Sequence, residues 1–175
     1  MRDLESHEKV VVTSRVKDCE SAIAALQRRP EYFKPDDPDW EPPSLRALKD
    51  LAGVRILAFP RRRVLEIDEA LRRRFPDWTS DPVPSIPGAA NLLALKYHGL
   101  CHAQCRVRAE IQLLSMLIGL FWEVEHGALY KPGERLRHIE ISERMQGHYA
   151  DVIRALSHFE DEFESIAAKK PPRSR

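Results

Sequence analysis

Two acidic residues of this chain stand against apolar segments, Asp50 just before the stretch 51–59 and Glu110 inside the stretch 106–113. A charge in such a place is costly unless it is used. In an extended strand Glu110 and Gln112 point to one face, and Ile111 and Leu113 to the other. Two carboxylates on neighbouring strands suit one Mg²⁺, which takes one or two protein carboxylates and completes its shell with water and phosphate oxygens. Arg15 and Lys17 lie two apart on another candidate strand, hence on one face, and Ser21 opens the helix that follows. Two cations beside a helix N-terminus make a reasonable triphosphate cradle. Arg55 adds a planar guanidinium that can fork a phosphate or stack on a base. In the segment 122–131, Glu123, His126 and Tyr130 share a helical face at spacings of three and four, and Lys131 follows at the end. Such a group can bind a ribose, a base or a phosphate. Taken singly, each of these residues is equally a charge at a strand edge or helix end that faces water.

The elements that must position them can be read from pattern. Val10, Val11 and Val12 form a β-branched run and predict a strand. Asp18 and Ser21 offer N-cap chemistry ahead of a run of helix formers, 22–29. Five prolines between 30 and 43 predict an extended loop, and Ser44 can cap a short helix through 49. The stretch 51–59 reads as a buried strand stopped by Pro60. Val64, Ile67, Leu71 and Phe75 recur at helical spacing. A second proline-rich stretch, with Pro82, Pro84 and Pro87, follows as a loop. Strands are expected over 92–100 and 105–113, a core helix over 114–129, a break at Pro132-Gly133, and one long helix over 134–168. Alternating strands and helices predict an α+β fold, a mixed sheet flanked by helices with a long C-terminal helix.

The 175 residues suit one domain, 1–168, with a disordered basic tail over 169–175. The hydrophobic fraction of 43% supports a sizeable core. Against 27 Asp and Glu stand 28 Lys and Arg, which argues against coating nucleic acid by bulk charge. No apolar run approaches the roughly 20 residues that span a bilayer, and the first ten residues lack the apolar core of a signal peptide. Three cysteines fit a reduced, cytoplasmic setting better than a disulfide scaffold.

In order along the chain, Arg15-Val16-Lys17-Asp18-x-Glu20-Ser21, Asp50-Leu51-Ala52-Gly53-Val54-Arg55-Ile56, Glu110-Ile111-Gln112-Leu113 and Glu123-Val124-Glu125-His126-x-x-x-Tyr130-Lys131-Pro132 resemble the motifs of the RelA/SpoT (p)ppGpp synthetase domain, in its small alarmone synthetase form. The resemblance covers about residues 10–133, with 134–168 as a helical extension, and the 17 residues from Glu110 through His126 keep the family's spacing without a gap. It implies a nucleotidyltransferase-like sheet and a GTP pyrophosphokinase, which transfers the β,γ-pyrophosphate of ATP to the 3′-hydroxyl of GDP or GTP. By the same resemblance Asp50 and Glu110 hold Mg²⁺, and Glu110 assists deprotonation of the 3′-hydroxyl. Arg15, Lys17 and Ser21 grip ATP phosphates, Arg55 contacts adenine, and Gln112, His126, Tyr130 and Lys131 surround the acceptor. Partners are then ATP and GDP or GTP, with no membrane and with homo-oligomers common among relatives.

The chain departs from the family pattern at several places. Ala25 stands where a phosphate-binding Lys is usual, four positions after Ser21. If His98 is the motif histidine, Ala94 stands where a stacking Tyr is usual. Leu114 replaces an Arg, and Gly119-Leu120-Phe121 replaces His-Ala-Trp. These departures support an alternative, a catalytically impaired or truncated nucleotide-binding or regulatory homologue. A further alternative is a toxin-type relative that pyrophosphorylates tRNA, with the triplets Arg61–Arg63 and Arg72–Arg74 on the RNA backbone. Cys101, His102 and Cys105 lack a fourth ligand for a closed zinc site. A stripe over 149–163 on the last helix is expected to pack on the chain's own sheet rather than on a second copy.

Overall fold

A computed structural model describes residues 4–27, 45–84, 92–102, 104, 106–125 and 143–169. In chain order these form β1 (Lys9–Val16), α1 (Cys19–Gln27), a 3-10 turn (Leu45–Ala47), β2 (Ala52–Phe59), α2 (Arg61–Arg74), β3 (Thr79–Pro84), β4 (Leu92–His102), β5 (Val107–Ser115), α3 (Met116–Glu125) and α4 (Glu143–Ala167). The five strands make one sheet in the order β1-β2-β5-β4-β3. The β2–β5 pair is parallel and the other three pairs are antiparallel, so the fold is the expected α+β mixed sheet.

Alternation along the strands divides the sheet into two chemically different faces. Ile56 and Ala58 of β2, Ile111 and Leu113 of β5, and Leu95 and Tyr97 of β4 point one way and pack with Val64 and Ile67 of α2. This is the main core, and each of these eight side chains is buried. The opposite face is apolar at one end only. There Leu57, Ala94 and Leu114 meet Met116 and Trp122 of α3. Gly119 allows that contact: a Cβ there would lie 2.5 Å from Leu57 Cδ2 and 3.3 Å from Leu114 Cβ, so any other residue would force Leu57 to shift. The other end of the same face carries Arg15, Arg55, Lys96, His98, Glu110 and Gln112, and is the polar surface described below.

Charged groups attach α4 and the N-terminal segment to the start of α2. Pro60 sits at the helix entrance and provides no side-chain cap. The backbone N–H of Arg62 instead donates to Glu164 at 2.5 Å, which places a carboxylate where exposed helix amides favour one. Arg63 is 1% exposed, and its Nε and Nη2 both donate to Glu8 Oε2, at 2.9 and 2.6 Å. Arg62 reaches Glu8 Oε1 at 2.9 Å, and Arg61 lies 3.5 Å from Asp161. Within the first arginine triplet Arg63 is therefore buried in an internal clamp, while Arg61 and Arg62 stand half-buried at its edge.

Other expectations are corrected in the same way. The stretch expected as a proline-rich loop contains β3, and its Pro82 and Pro84 are tolerated because β3 is an edge strand with a side that pairs with nothing in the sheet. Ser21 does not open α1: the helix begins at Cys19, and Asp18 caps it by accepting the Ser21 N–H at 2.7 Å. The α4 stripe is divided. Ile153 packs with Ile118, and Phe163 meets Phe59 in a tilted ring pair at 4.9 Å between centroids, whereas Val152 and Phe159 face out. Ser44, the loop expected over 30–43, Pro132-Gly133 and the helix expected over 134–142 lie outside the described residues.

Candidate functional site

The register of the sheet aligns the polar residues in two rows. In the first, Arg15 is opposite Gly53, Gly53 opposite Glu110, Glu110 opposite His98, and His98 opposite Thr79. In the second, two residues further along each strand, the sequence is Thr13, Arg55, Gln112, Lys96 and Asp81. Since both rows belong to the same strand phase, they share one face. Glu110 thus sits at the middle of the sheet, on a surface where cations arrive from β1, β2 and β4.

Glu110 is mostly covered, with a side chain 12% exposed. Its Oε1 accepts from Gln112 Nε2 at 2.5 Å, and its Oε2 lies 3.7 Å from His98 Nε2. His98 Nε2 is also 3.5 Å from Asp81 Oδ2. The buried Nδ1 of His98 has no hydrogen-bond partner among the described residues. Gln112 Oε1 accepts from Arg55 Nε at 3.0 Å and from Arg55 Nη2 at 2.9 Å. Arg55 Nη1 donates to Glu123 Oε1 at 2.5 Å, and the guanidinium stands 5.4 Å from the centre of the Trp122 ring. Lys96 Nζ stands 5.8 Å from the same ring. A cation near an aromatic ring at such distances gains electrostatic attraction from the ring quadrupole.

Asp50 does not share this network. It lies in the turn before β2, three residues ahead of Gly53, which is the residue facing Glu110. Its Oδ2 is held by Lys17 Nζ at 2.6 Å, and Lys17 N–H donates to the Leu51 carbonyl. Lys17 is therefore tied at both ends to the β2 entrance. The Arg15 guanidinium makes no ion pair with a described residue, and its Cγ passes 3.5 Å from where a Gly53 Cβ would be, so Gly53 leaves room for it to lie across the strand.

A Mg²⁺ ion fits the donor chemistry of these two acids. Each carboxylate has one oxygen engaged, Asp50 Oδ2 by Lys17 and Glu110 Oε1 by Gln112, and each keeps a second hard oxygen. Among the described residues no group of three or more His, Cys, Asp or Glu side chains is placed to hold a metal. Two carboxylates would leave the rest of a Mg²⁺ shell to water and phosphate oxygens.

Of the residues expected from sequence, the fold brings Arg15, Arg55, Glu110 and Gln112 onto one face and sets Lys17 and Asp50 at its rim, while Ser21 lies in the first turn of α1. His126, Tyr130 and Lys131 lie outside the described residues. Ala94 is buried under α3 with Leu57 and Leu114, facing no open surface. Sequence reasoning passed over His98 as a site residue, as well as Asp81, Lys96 and Trp122. Alternation gave a usable signal for two of them, because Lys96 and His98 flank the buried Tyr97 and so share the face opposite to it.

No protein-family model and no curated protein sequence matches the chain. Solved structures do. The chain is similar to small alarmone synthetase 2 from Bacillus subtilis at 19% identity and a TM-score of 0.61, over 90% of this chain and 80% of that one. It is similar to small alarmone synthetase 1 from the same organism at 21% identity and a TM-score of 0.60, over 90% and 78%. A GTP pyrophosphokinase family protein from Streptococcus pneumoniae matches at 17% identity and a TM-score of 0.55, over 93% and 77%. Small alarmone synthetase 1 has also been solved bound to AMPCPP and to its product pppGpp. At these identities the likeness establishes the fold, which is that of the small alarmone synthetases. No helix among the described residues is long and apolar enough to cross a membrane.

Proposed function

We propose that the chain is a GTP pyrophosphokinase-like enzyme, transferring pyrophosphate from ATP to the 3′-hydroxyl of GDP or GTP in alarmone metabolism in the cytoplasm. The observation that carries the reading is the row Arg15, Gly53, Glu110, His98: a covered carboxylate at mid-sheet, with a guanidinium that pairs with no described residue on one side and an imidazole on the other. Pyrophosphate transfer asks for in-line positioning and neutralisation of phosphate charge rather than a covalent intermediate. Arg15 and Lys17 hold the donor phosphates, with Ser21 at the N-terminal turn of α1, and Arg55 takes the donor base or a phosphate oxygen. Glu110 accepts the proton of the attacking hydroxyl. His126, Tyr130 and Lys131 belong to the acceptor side, and Gln112 stands beside Glu110 and bonds to it. Asp50 and Glu110 would hold a Mg²⁺ ion, which when bound would neutralise charge on the transferred group. Fold likeness to synthetases solved with AMPCPP and pppGpp supports nucleotides as ligands.

The test uses γ-labelled ATP and Mg²⁺ with GDP, GTP or deacylated tRNA as acceptor. Glu110→Gln and Asp50→Asn are each expected to lower transfer by about 100-fold or more, the scale for losing a catalytic electrostatic group. Full transfer in either variant would remove that residue from the mechanism.

A second reading, a nucleotide-binding homologue that does not transfer, is favoured by one observation. Ala94 is sealed in the apolar patch below α3, so that position gives an acceptor base nothing to stack on. The loss of such a platform weakens base binding by about 1 to 3 kcal/mol. Binding of ATP without transfer to any acceptor would establish this reading. The tRNA alternative has lost one of its supports, since Arg61, Arg62 and Arg63 are engaged by Asp161, Glu8 and Glu66.

A further inference from the structure

We infer that Gln112 is a positioning residue that couples the Arg55 guanidinium to the Glu110 carboxylate, rather than a direct nucleotide ligand. The inference rests on the proposed roles of Arg55 and Glu110, but the coupling itself is a property of the folded chain. Three hydrogen bonds carry it: two from Arg55 to Gln112 Oε1, at 3.0 and 2.9 Å, and one from Gln112 Nε2 to Glu110 Oε1 at 2.5 Å. The orientation of the amide follows from its neighbours. A guanidinium offers only donors and an ionised carboxylate only acceptors, so a flipped amide would set donor against donor and acceptor against acceptor.

The strand geometry explains why residue 112 has this role. Gln112 is the register partner of Arg55 on the parallel strand β2, and it stands two residues from Glu110 on the same face of β5. Its side chain reaches across to one and back along the strand to the other. Both ends of the amide are then engaged, leaving it little capacity for a ligand. The chain of contacts runs from Glu123 on α3 through Arg55 and Gln112 to Glu110. A ligand that moves Arg55 must therefore disturb the hydrogen bond that fixes the carboxylate. Occupancy of the donor site is in this way transmitted to the group that deprotonates the acceptor, through a single side chain.

Substitutions separate the two halves of the link. Gln112→Glu retains an acceptor for Arg55 but puts a carboxylate beside Glu110. Gln112→Met removes all three bonds at similar volume. The coupling is read first without any ligand, by the NMR signal of the Arg55 Nε–H. Glu110→Gln should shift that resonance in the wild-type background and leave it unmoved in the Gln112→Met background. Equal shifts in the two backgrounds would overturn the coupling. Where transfer is measurable, Gln112→Glu should bind AMPCPP within about twofold of wild type while turnover falls by about 100-fold, and Gln112→Met should also weaken AMPCPP binding by about tenfold, the scale of charge-assisted hydrogen bonds. Turnover at the wild-type level in Gln112→Glu, or unchanged AMPCPP binding and turnover in Gln112→Met, would overturn the positioning role. If Gln112→Met fails to fold, Gln112→Asn takes its place, since the shorter amide cannot span both partners. A positive NMR result in a protein that transfers nothing would keep the coupling and remove the enzymatic reading.

Discussion

The Arg55 guanidinium donates to the Glu123 carboxylate at 2.5 Å, joining β2 to α3 across 68 residues of sequence. Glu123 is well exposed and carries the negative charge that a bound phosphate would bring. A nucleotide that uses Arg55 must compete with it. Glu123→Gln is therefore expected to tighten AMPCPP binding by about two- to fivefold, the worth of an exposed ion pair. Isothermal titration at low and high salt checks this, with the gain shrinking as salt screens the pair. Unchanged or weaker binding would mean that Arg55 does not meet the ligand.

The Arg63–Glu8 pair makes a prediction about stability rather than chemistry. Both side chains are almost fully enclosed, and Arg63 also meets Glu66 at 2.5 Å. Removing one partner of a buried pair strands the other charge. Arg63→Met is expected to destabilise the fold by about 3 to 5 kcal/mol in urea unfolding. A loss below about 1 kcal/mol, typical of an exposed pair, would show that water reaches the clamp.

Glu160 gives the pH dependence. It is fully buried on α4, and the Ser115 hydroxyl donates to its Oε1 while Oε2 has no partner among the described residues. Burial pushes its pKa above the ordinary carboxylate value; Glu164 and Asp161 push the same way, and Ser115 and Arg61 oppose. An acid with a raised folded pKa binds its proton more tightly in the folded chain. Its contribution to stability is full below the unfolded carboxylate pKa and is lost as pH rises through the folded one. Glu160→Gln removes that loss, so the stability of the variant relative to wild type should increase as pH rises from the acid range to neutrality. Urea midpoints measured across that range check it, and a difference independent of pH would place the charge of Glu160 in water.

Much of the fold was legible because alternation is strict where a sheet has one apolar and one polar face. Glu110 and Gln112 on one side, with Ile111 and Leu113 on the other, predicted β5 and its polar face correctly. Edge strand β3 was not legible, since Pro82 and Pro84 mark a loop unless the outer side of the strand pairs with nothing. The role of Arg63 was hidden for a different reason. A run of three arginines reads as solvated surface, and nothing local announces that Glu8, 55 residues earlier, will enclose one of them. Asp50 was rightly placed just before β2 and Glu110 within the neighbouring strand β5, but sequence could not tell that Lys17 would take Asp50 or that Gly53 would be the residue facing Glu110. Ala94 was seen as a departure, and its burial below α3 required the packing of Gly119 against Leu57.

The central claim is that the Glu110 row catalyses pyrophosphate transfer between two nucleotides. The most direct measurement is to incubate the purified wild-type chain with γ-labelled ATP, Mg²⁺ and GDP or GTP, and to resolve the products. The account predicts label in a guanosine product carrying a 3′-pyrophosphate, with equimolar release of AMP, and loss of that product in Glu110→Gln. ATP that binds but yields no labelled guanosine product at any Mg²⁺ or acceptor concentration would contradict it.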